Sequence, residues 1–224
     1  EMLGSEAEAI RAASRILRIK GEVLPVTADD VHLKATYEDG SVVVGEHEID
    51  EPNDAHVDLR ITQLETEPRA TVTDAVRTAI AGADLVVLGP GDLYASLLAN
   101  CVVDGMPEAL QQTPGKFVYV CNLMSRPGQT RGLGQQAFIA EIERYVGRTP
   151  DHILLNTTAL PEAALTRYAA EGDYPIADDL TSDAVIRGDF LSDTLIEKSD
   201  ADVLQRALIR HDADKLASAI LRLP

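Results

Sequence analysis

A run of four aliphatic residues, 85–88, ends in the sequence "GPGDLYAS" at residues 89–96. Two glycines give such a loop backbone freedom and let a ligand approach the peptide N–H groups closely. A helix that starts after the loop adds unpaired N–H donors, and the combination binds phosphate without lysines. Tyr94 could then stack on a flat ring, and Ser96 could donate to an oxygen. The alternative is a tight strand-to-helix turn in which Ser96 caps the helix and Tyr94 packs.

Two further apolar runs also end in polar sequences, "CNLMSRPGQT" at residues 121–130 and "NTTALPE" at residues 156–162. Ligands of open α/β sheets bind beyond the carboxyl ends of the strands, so Asn122 and Asn156 predict a site shared with the Gly-Pro-Gly loop. An asparagine at a strand end also serves as an ordinary turn residue. Arg126 and Thr130 could hold a substrate, with a plain Pro-Gly turn as the alternative.

The segment "LIRHDADKL" at residues 208–216 brings Arg210 and His211 to the start of the last predicted helix. The forked guanidinium of Arg210 could clamp a diphosphate. An ion pair with Asp212 or Asp214 is the alternative. Asp212 caps the helix under either interpretation. His211 could titrate near neutral pH, although a single histidine more often packs.

Signals for metal binding or nucleophilic catalysis are weak. The five histidines lack zinc-ligand spacing, and the sequence holds no Gly-x-Ser-x-Gly motif. The pairs Asp29–Asp30 and Asp178–Asp179 could bind magnesium, but acid pairs usually belong to loops and helix caps. The sequence "EHE" at residues 46–48 falls on a predicted strand and indicates its solvent-facing side. We therefore predict no metal ligand and no catalytic residue.

The elements that must position these residues alternate between helix and strand from residue 70 onward. Strands are predicted at residues 85–89, 116–123 and 152–156, and helices at residues 73–82, 96–111, 135–146, 161–172 and 212–223. A short strand within residues 184–191 interrupts an otherwise irregular acidic connection, 174–202. Strands that are apolar on both faces are typical of a buried parallel sheet. The alternation predicts a Rossmann-like α/β sheet with helices on both faces.

The first third follows a different pattern. A helix is predicted over residues 5–19, capped by Ser5, with Ile10, Ala13 and Leu17 on one face. Apolar and polar residues then alternate within residues 21–65, and "EDGS" at residues 38–41 indicates a hairpin turn. We expect an antiparallel β subregion at 21–65 and a nucleotide-binding α/β core at 70–224, within one domain spanning 1–224.

The formal charge of −17, with only five lysines among 20 cations, argues against nucleic acid and anionic membrane surfaces as partners. No apolar run reaches membrane-spanning length, and the first residues lack a secretory-signal pattern. Cys101 and Cys121 follow apolar runs, which predicts buried free thiols in a reducing cytoplasm.

Four segments, residues 21–49, 83–100, 118–130 and 208–217, occur in an order and spacing that resembles the YvcK-like gluconeogenesis factors. That family belongs to the superfamily of 2-phospho-L-lactate transferase (CofD). The resemblance runs from about Ala7 to Leu221, and the sequences "LYAS" and "CNLM" are more similar to the YvcK side than to the transferase side. It implies a cytoplasmic protein that binds UDP-sugars such as UDP-N-acetylglucosamine. It also implies effects on carbon metabolism, cell shape and cell-wall synthesis, with no secure catalytic activity.

The resemblance also implies site residues. It assigns nucleotide contacts to the Gly-Pro-Gly loop, to the second strand end, to Arg210 of the "RHD" sequence, and to either Tyr168 or Tyr174. Together with the residues argued above, the predicted ligand-binding set is Gly89, Pro90, Gly91, Asp92, Tyr94, Ser96, Asn122, Met124, Thr130, Asn156, Tyr168 and Arg210.

The sequence departs from the family pattern in places. Asp92 and Ala95 stand where Ser and Thr are common, Ala99 replaces a frequent Pro, and Ala213 replaces a Thr that some members phosphorylate. The family's glycine-rich first loop and its Asp-Asp-Gly-Gly stretch do not precede Glu1, so the chain is similar to the C-terminal two-thirds of such a protein. A sheet edge left open there could be covered by a partner chain, which keeps a homo-oligomer open.

The alternative function is that of the transferase side of the superfamily: movement of a phosphorylated group from a nucleotide-diphosphate donor with magnesium. A third alternative is a structural fragment without a ligand, in which the three strand ends would not converge. The particular sugar, the downstream partners and the oligomeric state are not fixed by the sequence.

Overall fold

The computed structural model describes residues 6–194 and 208–224. Helix α1 (Glu6–Leu17) precedes a three-stranded antiparallel sheet of β1 (His32–Tyr37), β2 (Val42–Val44) and β3 (Ile61–Glu67), in the order β2-β1-β3. The hairpin between β1 and β2 closes where the Tyr37 N–H donates to the Ser41 carbonyl at 2.9 Å. Gly40 has a φ of 84° in this turn, a conformation that favours glycine.

The alternation of apolar and polar residues in β1 gives this sheet one buried face. Leu33, Ala35 and Tyr37 are buried, and Ile61 and Leu64 of β3 lie in the same core. The structure therefore confirms the antiparallel region that the sequence pattern predicted.

One expectation for this region is wrong. The sequence "EHE" lies in the short helix α2 (Glu46–Asp50), not on a strand, because Gly45 turns the chain with a φ of 118°. The helix then directs Ile49 fully into the core. The predicted helix at the start of the chain is present as α1, and the described residues cover its apolar face only in part: Ile10 is half-buried and Leu17 is 73% exposed. The predicted cap of α1, Ser5, lies outside the described residues.

The second half forms a parallel sheet of β4 (Leu85–Leu88), β5 (Lys116–Val120), β6 (His152–Asn156) and β7 (Val185–Gly188), in chain order. The helices before, between and after these strands are α3 (Asp74–Ala81), a π-helix (Leu93–Leu98), α4 (Ala99–Cys101), α5 (Met106–Gln112), α6 (Gln135–Val146), α7 (Glu162–Glu171) and α8 (Ala213–Ile220). This arrangement confirms the predicted Rossmann-like α/β class, including the short strand within residues 184–191.

Alternate residues of β5 face two different layers. Phe117 and Tyr119 pack with Phe138 and Ile142 of α6 in the larger core. Val118 and Val120 point the other way and pack with residues of α8, among them Leu216. Helices therefore cover both faces of the parallel sheet, and its carboxyl edge remains free for a site.

The helix predicted over residues 96–111 is broken in the structure. The break lies between α4 and α5, where Gly105 takes a φ of 89°. There the Asp104 N–H donates to the Ala70 carbonyl, and the Asp104 carbonyl accepts from the Val72 N–H. The backbone of this break is thus satisfied by the segment that precedes α3, a pairing that local periodicity does not reveal.

Both cysteines are buried free thiols, as predicted. Burial raises the pKa of Cys101 and of Cys121 to about 12, so neither forms a reactive thiolate near neutral pH. Across the described ranges, no helix combines the length and the apolar character needed to span a membrane.

Candidate functional site

The first two strand ends of the parallel sheet are held together by a glycine turn and an asparagine. Gly89 follows β4 with a φ of 90°, and a Cβ atom there would lie 3.0 Å from the Val120 carbonyl oxygen. The turn directs Gly91 toward the end of β5, where Asn122 Nδ2 donates to the Gly91 carbonyl at 2.6 Å. Glycine is needed at position 89 because both the dihedral angle and the close approach exclude a side chain.

The second polar end of Asn122 is also engaged. Its Oδ1 accepts a hydrogen bond of 3.0 Å from the Tyr119 hydroxyl. Burial raises the pKa of Tyr119 well above its usual value, so this hydroxyl stays protonated and donates. Asn122 therefore fixes the Gly-Pro-Gly loop relative to β5.

A cavity of about 620 Å³ opens beside this junction. The Gly-Pro-Gly loop, the end of β5, helix α7 and the start of α8 all contribute to its wall. Among the predicted site residues, the wall includes Pro90, Gly91, Asp92, Ser96, Asn122, Met124, Tyr168 and Arg210. The predicted convergence of Gly91, Asn122 and Arg210 on one hollow is thus present, while their contact with a ligand stays a prediction.

One part of the wall carries acids around a single arginine. Arg126 Nη2 lies 3.1 Å from Asp50 Oδ2, and Arg126 Nε lies 3.5 Å from Asp92 Oδ2. Asp173, only 4% exposed, lines the same cavity, and its Oδ1 has no hydrogen-bond partner among the described residues. We call Asp50, Asp92, Asp173 and Arg126 the acidic cluster.

Two carboxyl groups of the acidic cluster titrate at unusually high pH. Burial raises the pKa of Asp92 to about 6, against the opposing effect of the Arg126 guanidinium, and Asp50 adds to the rise. Burial likewise raises the pKa of Asp173 to about 6; Arg126 opposes this, and Glu171 and Asp92 contribute to it. Raised carboxyl pKa values in a concave site are typical of functional positions.

Another part of the wall is basic. Arg167 of α7 and Arg210 both line the cavity, and neither makes an ion pair within residues 6–194 and 208–224. Beside them, burial lowers the pKa of His211 to about 4, so its imidazole is neutral near pH 7. The Nε2 atom of His211 is buried without a hydrogen-bond partner among the described residues.

Tyr168 positions this basic part. Its hydroxyl accepts hydrogen bonds from the Leu208 N–H at 2.9 Å and the Ile209 N–H at 3.3 Å. These bonds tie α7 to the segment that carries Arg210. Tyr174, the alternative that the sequence left open, is 50% exposed and does not line the cavity. Of the two tyrosines, Tyr168 is therefore the one that lines the cavity, and its contact with a ligand stays a prediction.

Four predicted site residues do not reach this cavity: Tyr94, Thr130 and Gly89, together with Asn156 at the third strand end. Tyr94 is packed at 3% exposure with its hydroxyl donating to Glu141 Oε2 at 3.0 Å, so it cannot stack on a ligand. Thr130 is 2% exposed, and its Oγ1 accepts the Arg126 N–H at 2.8 Å, as a Pro-Gly turn residue does. Gly89 shapes the loop but is not part of the wall.

Asn156, the third strand end, lies in a different hollow. It lines a neighbouring cavity of about 270 Å³, which shares Asn122 and Leu123 with the larger one. Its Oδ1 accepts from the Phe190 N–H at 3.0 Å, and its Nδ2 donates to the Thr158 carbonyl at 2.9 Å. Both ends of the side chain thus organise loops, and only two of the three strand ends meet in the larger cavity.

Sequence reasoning missed Asp173 and Arg167. Both belong to α7 or its end, an element predicted only as a covering helix. Asp173 directly follows Gly172, which ends α7 with a φ of 81°. A carboxylate after a helix-ending glycine is an ordinary surface feature, so no local signal marked it as buried.

The acid pairs considered for magnesium have other partners. Asp178 forms a two-bond ion pair with Arg187, at 2.8 Å for both contacts, and Asp179 accepts the Gln136 N–H. Asp29 accepts the Thr71 N–H at 2.9 Å. Within the part of the chain that the structure describes, no group of three or more His, Cys, Asp or Glu side chains is arranged to hold a metal ion. Three of these four carboxylates, Asp29, Asp178 and Asp179, therefore already act as acceptors in contacts within the protein.

Comparison with known families identifies a match over most of the chain. Residues 1–192 match the family model described as "2-phospho-L-lactate transferase CofD". A Thermotoga maritima protein named "Putative gluconeogenesis factor" is 38% identical over 222 residues, which is 98% of this chain and 68% of that protein. A Bacillus subtilis protein named "Gluconeogenesis factor" is 31% identical over 98% of this chain and 67% of its own length. A Deinococcus radiodurans relative is 33% identical over 100% of this chain but 45% of its own length.

Solved structures agree with the sequence comparison. A crystal structure of a UPF0052-family protein from Bacillus halodurans superposes with a TM-score of 0.85 at 28% identity. The match covers 99% of this chain and 68% of that protein. The described fold is therefore shared by proteins that are longer than this chain.

Proposed function

This chain belongs to the family described as "2-phospho-L-lactate transferase CofD", and from that premise we propose that it binds a nucleotide sugar of the UDP-N-acetylglucosamine type. Through that ligand, the protein regulates carbon metabolism, cell shape and cell-wall synthesis in the cytoplasm. The names of the relatives support the link to gluconeogenesis. The roles in cell shape and wall synthesis rest on the family resemblance of the sequence motifs.

One observation carries the proposal: Gly91, Asn122 and Arg210, from three separate segments, line a single cavity of about 620 Å³. Small-molecule sites are concave and usually hold about 300–1,000 Å³. The cavity lies beyond the carboxyl ends of β4 and β5, the position at which open α/β sheets bind nucleotides.

The basic part of the wall supports a diphosphate. Arg167 and Arg210 lack ion-pair partners in the described ranges, so their charges are available to a ligand. A guanidinium can bind phosphate oxygens through two parallel hydrogen bonds. The chain has a net charge of −17, so two guanidinium groups without ion-pair partners among the described residues make this part of the wall locally positive. A locally positive wall favours an anionic group of the ligand.

The rest of the wall supports an uncharged ring. Leu123, Met124 and Ile209 give apolar surface next to the basic part, and Ser96 and Ser125 add hydroxyl groups. Apolar walls with a few polar groups are typical of sites that bind a base or a sugar. The lining therefore matches the mixed chemistry of a nucleotide sugar.

Isothermal titration calorimetry of the full-length protein with UDP-N-acetylglucosamine tests this function. We expect binding that Arg210→Ala weakens about tenfold or more, since a charge-assisted hydrogen bond is lost. Arg222→Ala is the matched control, because Arg222 is an exposed arginine outside the cavity. Absence of binding to the full-length protein, or an equal loss in both variants, would contradict the proposal.

The description of the matched family supports a second candidate, a transferase that uses a nucleotide-diphosphate donor. The acidic cluster offers carboxyl groups that could exchange a proton near pH 6. The described residues provide no metal centre for it. An assay for turnover of nucleotide-diphosphate donors, with and without magnesium, separates the two functions: binding without product release favours the regulatory one.

A further inference from the structure

The acidic cluster contains more carboxyl groups than cationic groups, and binding of a diphosphate does not explain this excess. It places three carboxyl groups, Asp50, Asp92 and Asp173, around one guanidinium, that of Arg126. Two of these groups, Asp92 and Asp173, line the cavity. When ionised, the three carboxylates exceed the one positive charge, so this part of the wall repels phosphate and attracts hydrogen-bond donors.

Within the acidic cluster, Asp173 gives the strongest indication that a hydrogen-bond donor binds here. It is 4% exposed, and its Oδ1 has no hydrogen-bond partner among the described residues. A buried acceptor without a donor is costly, and native proteins usually satisfy such atoms through water, an ion or a ligand. Arg126 does not satisfy this atom: its Nη2 pairs with Asp50, and its Nε, 3.5 Å from Asp92 Oδ2, is itself a buried donor without a hydrogen-bond partner among the described residues.

The chemistry that fits this place is a group rich in O–H donors and free of negative charge. Neighbouring hydroxyl groups on a sugar ring donate to carboxylate oxygens, and an arginine between the carboxylates can donate back to the ring oxygens. We propose that Asp92 and Asp173 form the subsite that recognises sugar hydroxyl groups, and that they select nucleotide sugars over nucleotides that lack the terminal sugar. This inference rests on the function proposed above and adds the part of the ligand that the acidic cluster binds.

Two other residues of the cavity wall, Glu171 and Asn122, do not offer an equivalent hydrogen-bond acceptor. Glu171 also lines the cavity, but it is exposed, and Asn122 has both polar ends engaged within the protein. Asp173 is therefore the buried carboxylate of the wall with an unpartnered oxygen, and the partly exposed Asp92 is the second carboxylate of the acidic cluster that lines the cavity.

The test compares the affinities of the full-length protein for UDP-N-acetylglucosamine and for UDP. Asp173→Asn keeps the size of the side chain but removes its charge and part of its acceptor capacity. We expect this variant to bind UDP-N-acetylglucosamine about tenfold more weakly while its affinity for UDP changes less than about twofold. Asp92→Asn should act in the same direction, and Asp183→Asn, at an exposed aspartate outside both cavities, should leave both affinities unchanged.

The outcomes are distinct. An equal loss for UDP and UDP-N-acetylglucosamine in Asp173→Asn would overturn selection of the terminal sugar, because the carboxylate would then contact the ribose. Unchanged affinities for both ligands in both Asn variants, with thermal unfolding showing folded protein, would overturn the inference while leaving the proposed function intact. Failure of the unmodified full-length protein to bind either ligand would remove both proposals.

Discussion

The side-chain amide of Asn122 donates to the Gly91 carbonyl at 2.6 Å, and this bond joins the ends of two neighbouring parallel strands. The same side chain accepts from the Tyr119 hydroxyl, which lies fully within the core. A single polar residue thus connects the hydrophobic core to the loop that lines the cavity. The position of the loop depends on core packing, so changes at this junction should affect stability and ligand binding together.

We expect Asn122→Ala to lower the free energy of unfolding by about 1–3 kcal/mol, because it leaves the Tyr119 hydroxyl and the Gly91 carbonyl without partners. Urea denaturation measures the change. Asn100→Ala is the control, since Asn100 is exposed and, among the described residues, its side-chain amide bonds only to the Ser96 carbonyl one turn earlier. Equal costs for the two substitutions would show that Asn122 does not hold the strand ends together.

We expect Gly89→Ala to destabilise the protein by about 1–3 kcal/mol, since it combines a strained φ of 90° with a contact of 3.0 Å to the Val120 carbonyl oxygen. Gly132→Ala separates the two causes, because Gly132 has a φ of 76° but no atom within 4 Å of the place that an alanine methyl group would take. Thermal unfolding should therefore show a larger loss for Gly89→Ala. A smaller loss at position 89 than at 132 would argue against the close approach of the two strand ends.

Tyr168→Phe removes the acceptor for the Leu208 and Ile209 N–H groups. We expect faster amide hydrogen exchange at these two residues, because their N–H groups lose their acceptor. We also expect weaker binding of a nucleotide sugar, because the segment that carries Arg210 is no longer hydrogen-bonded to α7. Tyr174→Phe is the control, since its ring is half exposed and does not line the cavity. Unchanged exchange at Leu208 and Ile209 in Tyr168→Phe would show that the tyrosine does not position the basic part of the wall.

Asp173→Asn should stabilise the ligand-free protein above pH 6. The pKa of Asp173 is raised to about 6 by burial, with Glu171 and Asp92 adding to the rise and Arg126 and Arg131 opposing it. Folding then costs free energy when the carboxyl group ionises, so the penalty is absent below about pH 4 and complete above pH 6.

The gain in the free energy of unfolding at pH 7 should reach about 1–3 kcal/mol and vanish at pH 4. Denaturant unfolding of the two proteins at several pH values measures it. A gain of equal size at both pH values would show that the effect is not electrostatic. A residue whose replacement stabilises the protein while weakening its function is typical of a binding site.

The fold was largely predictable because its signals are local. The apolar run of β5 and the helix-ending glycine of α7 each mark an element without knowledge of distant residues. The helix break near Gly105 was not predictable, because its backbone is satisfied by residues about 30 positions earlier in the chain. Residues 46–48 illustrate the same limit, since Gly45 and the core position of Ile49 decide between strand and helix there.

The site was predictable only in part, and for a related reason. Gly91, Asn122 and Arg210 carry sequence signals at strand and helix ends, and the structure brings them to one cavity. Tyr94 and Thr130 carry similar signals but point into the protein. Whether a polar residue near a strand end faces a cavity or the core depends on tertiary packing. Asp173, the most buried carboxylate of the wall, has no sequence signal at all.

A crystal structure of the full-length protein with UDP-N-acetylglucosamine tests the central claim most directly. We expect a diphosphate within hydrogen-bond distance of the Arg210 guanidinium, beside Gly91 and Asn122, and sugar hydroxyl groups on Asp173. A nucleotide sugar bound elsewhere, with the 620 Å³ cavity holding only water, would contradict it.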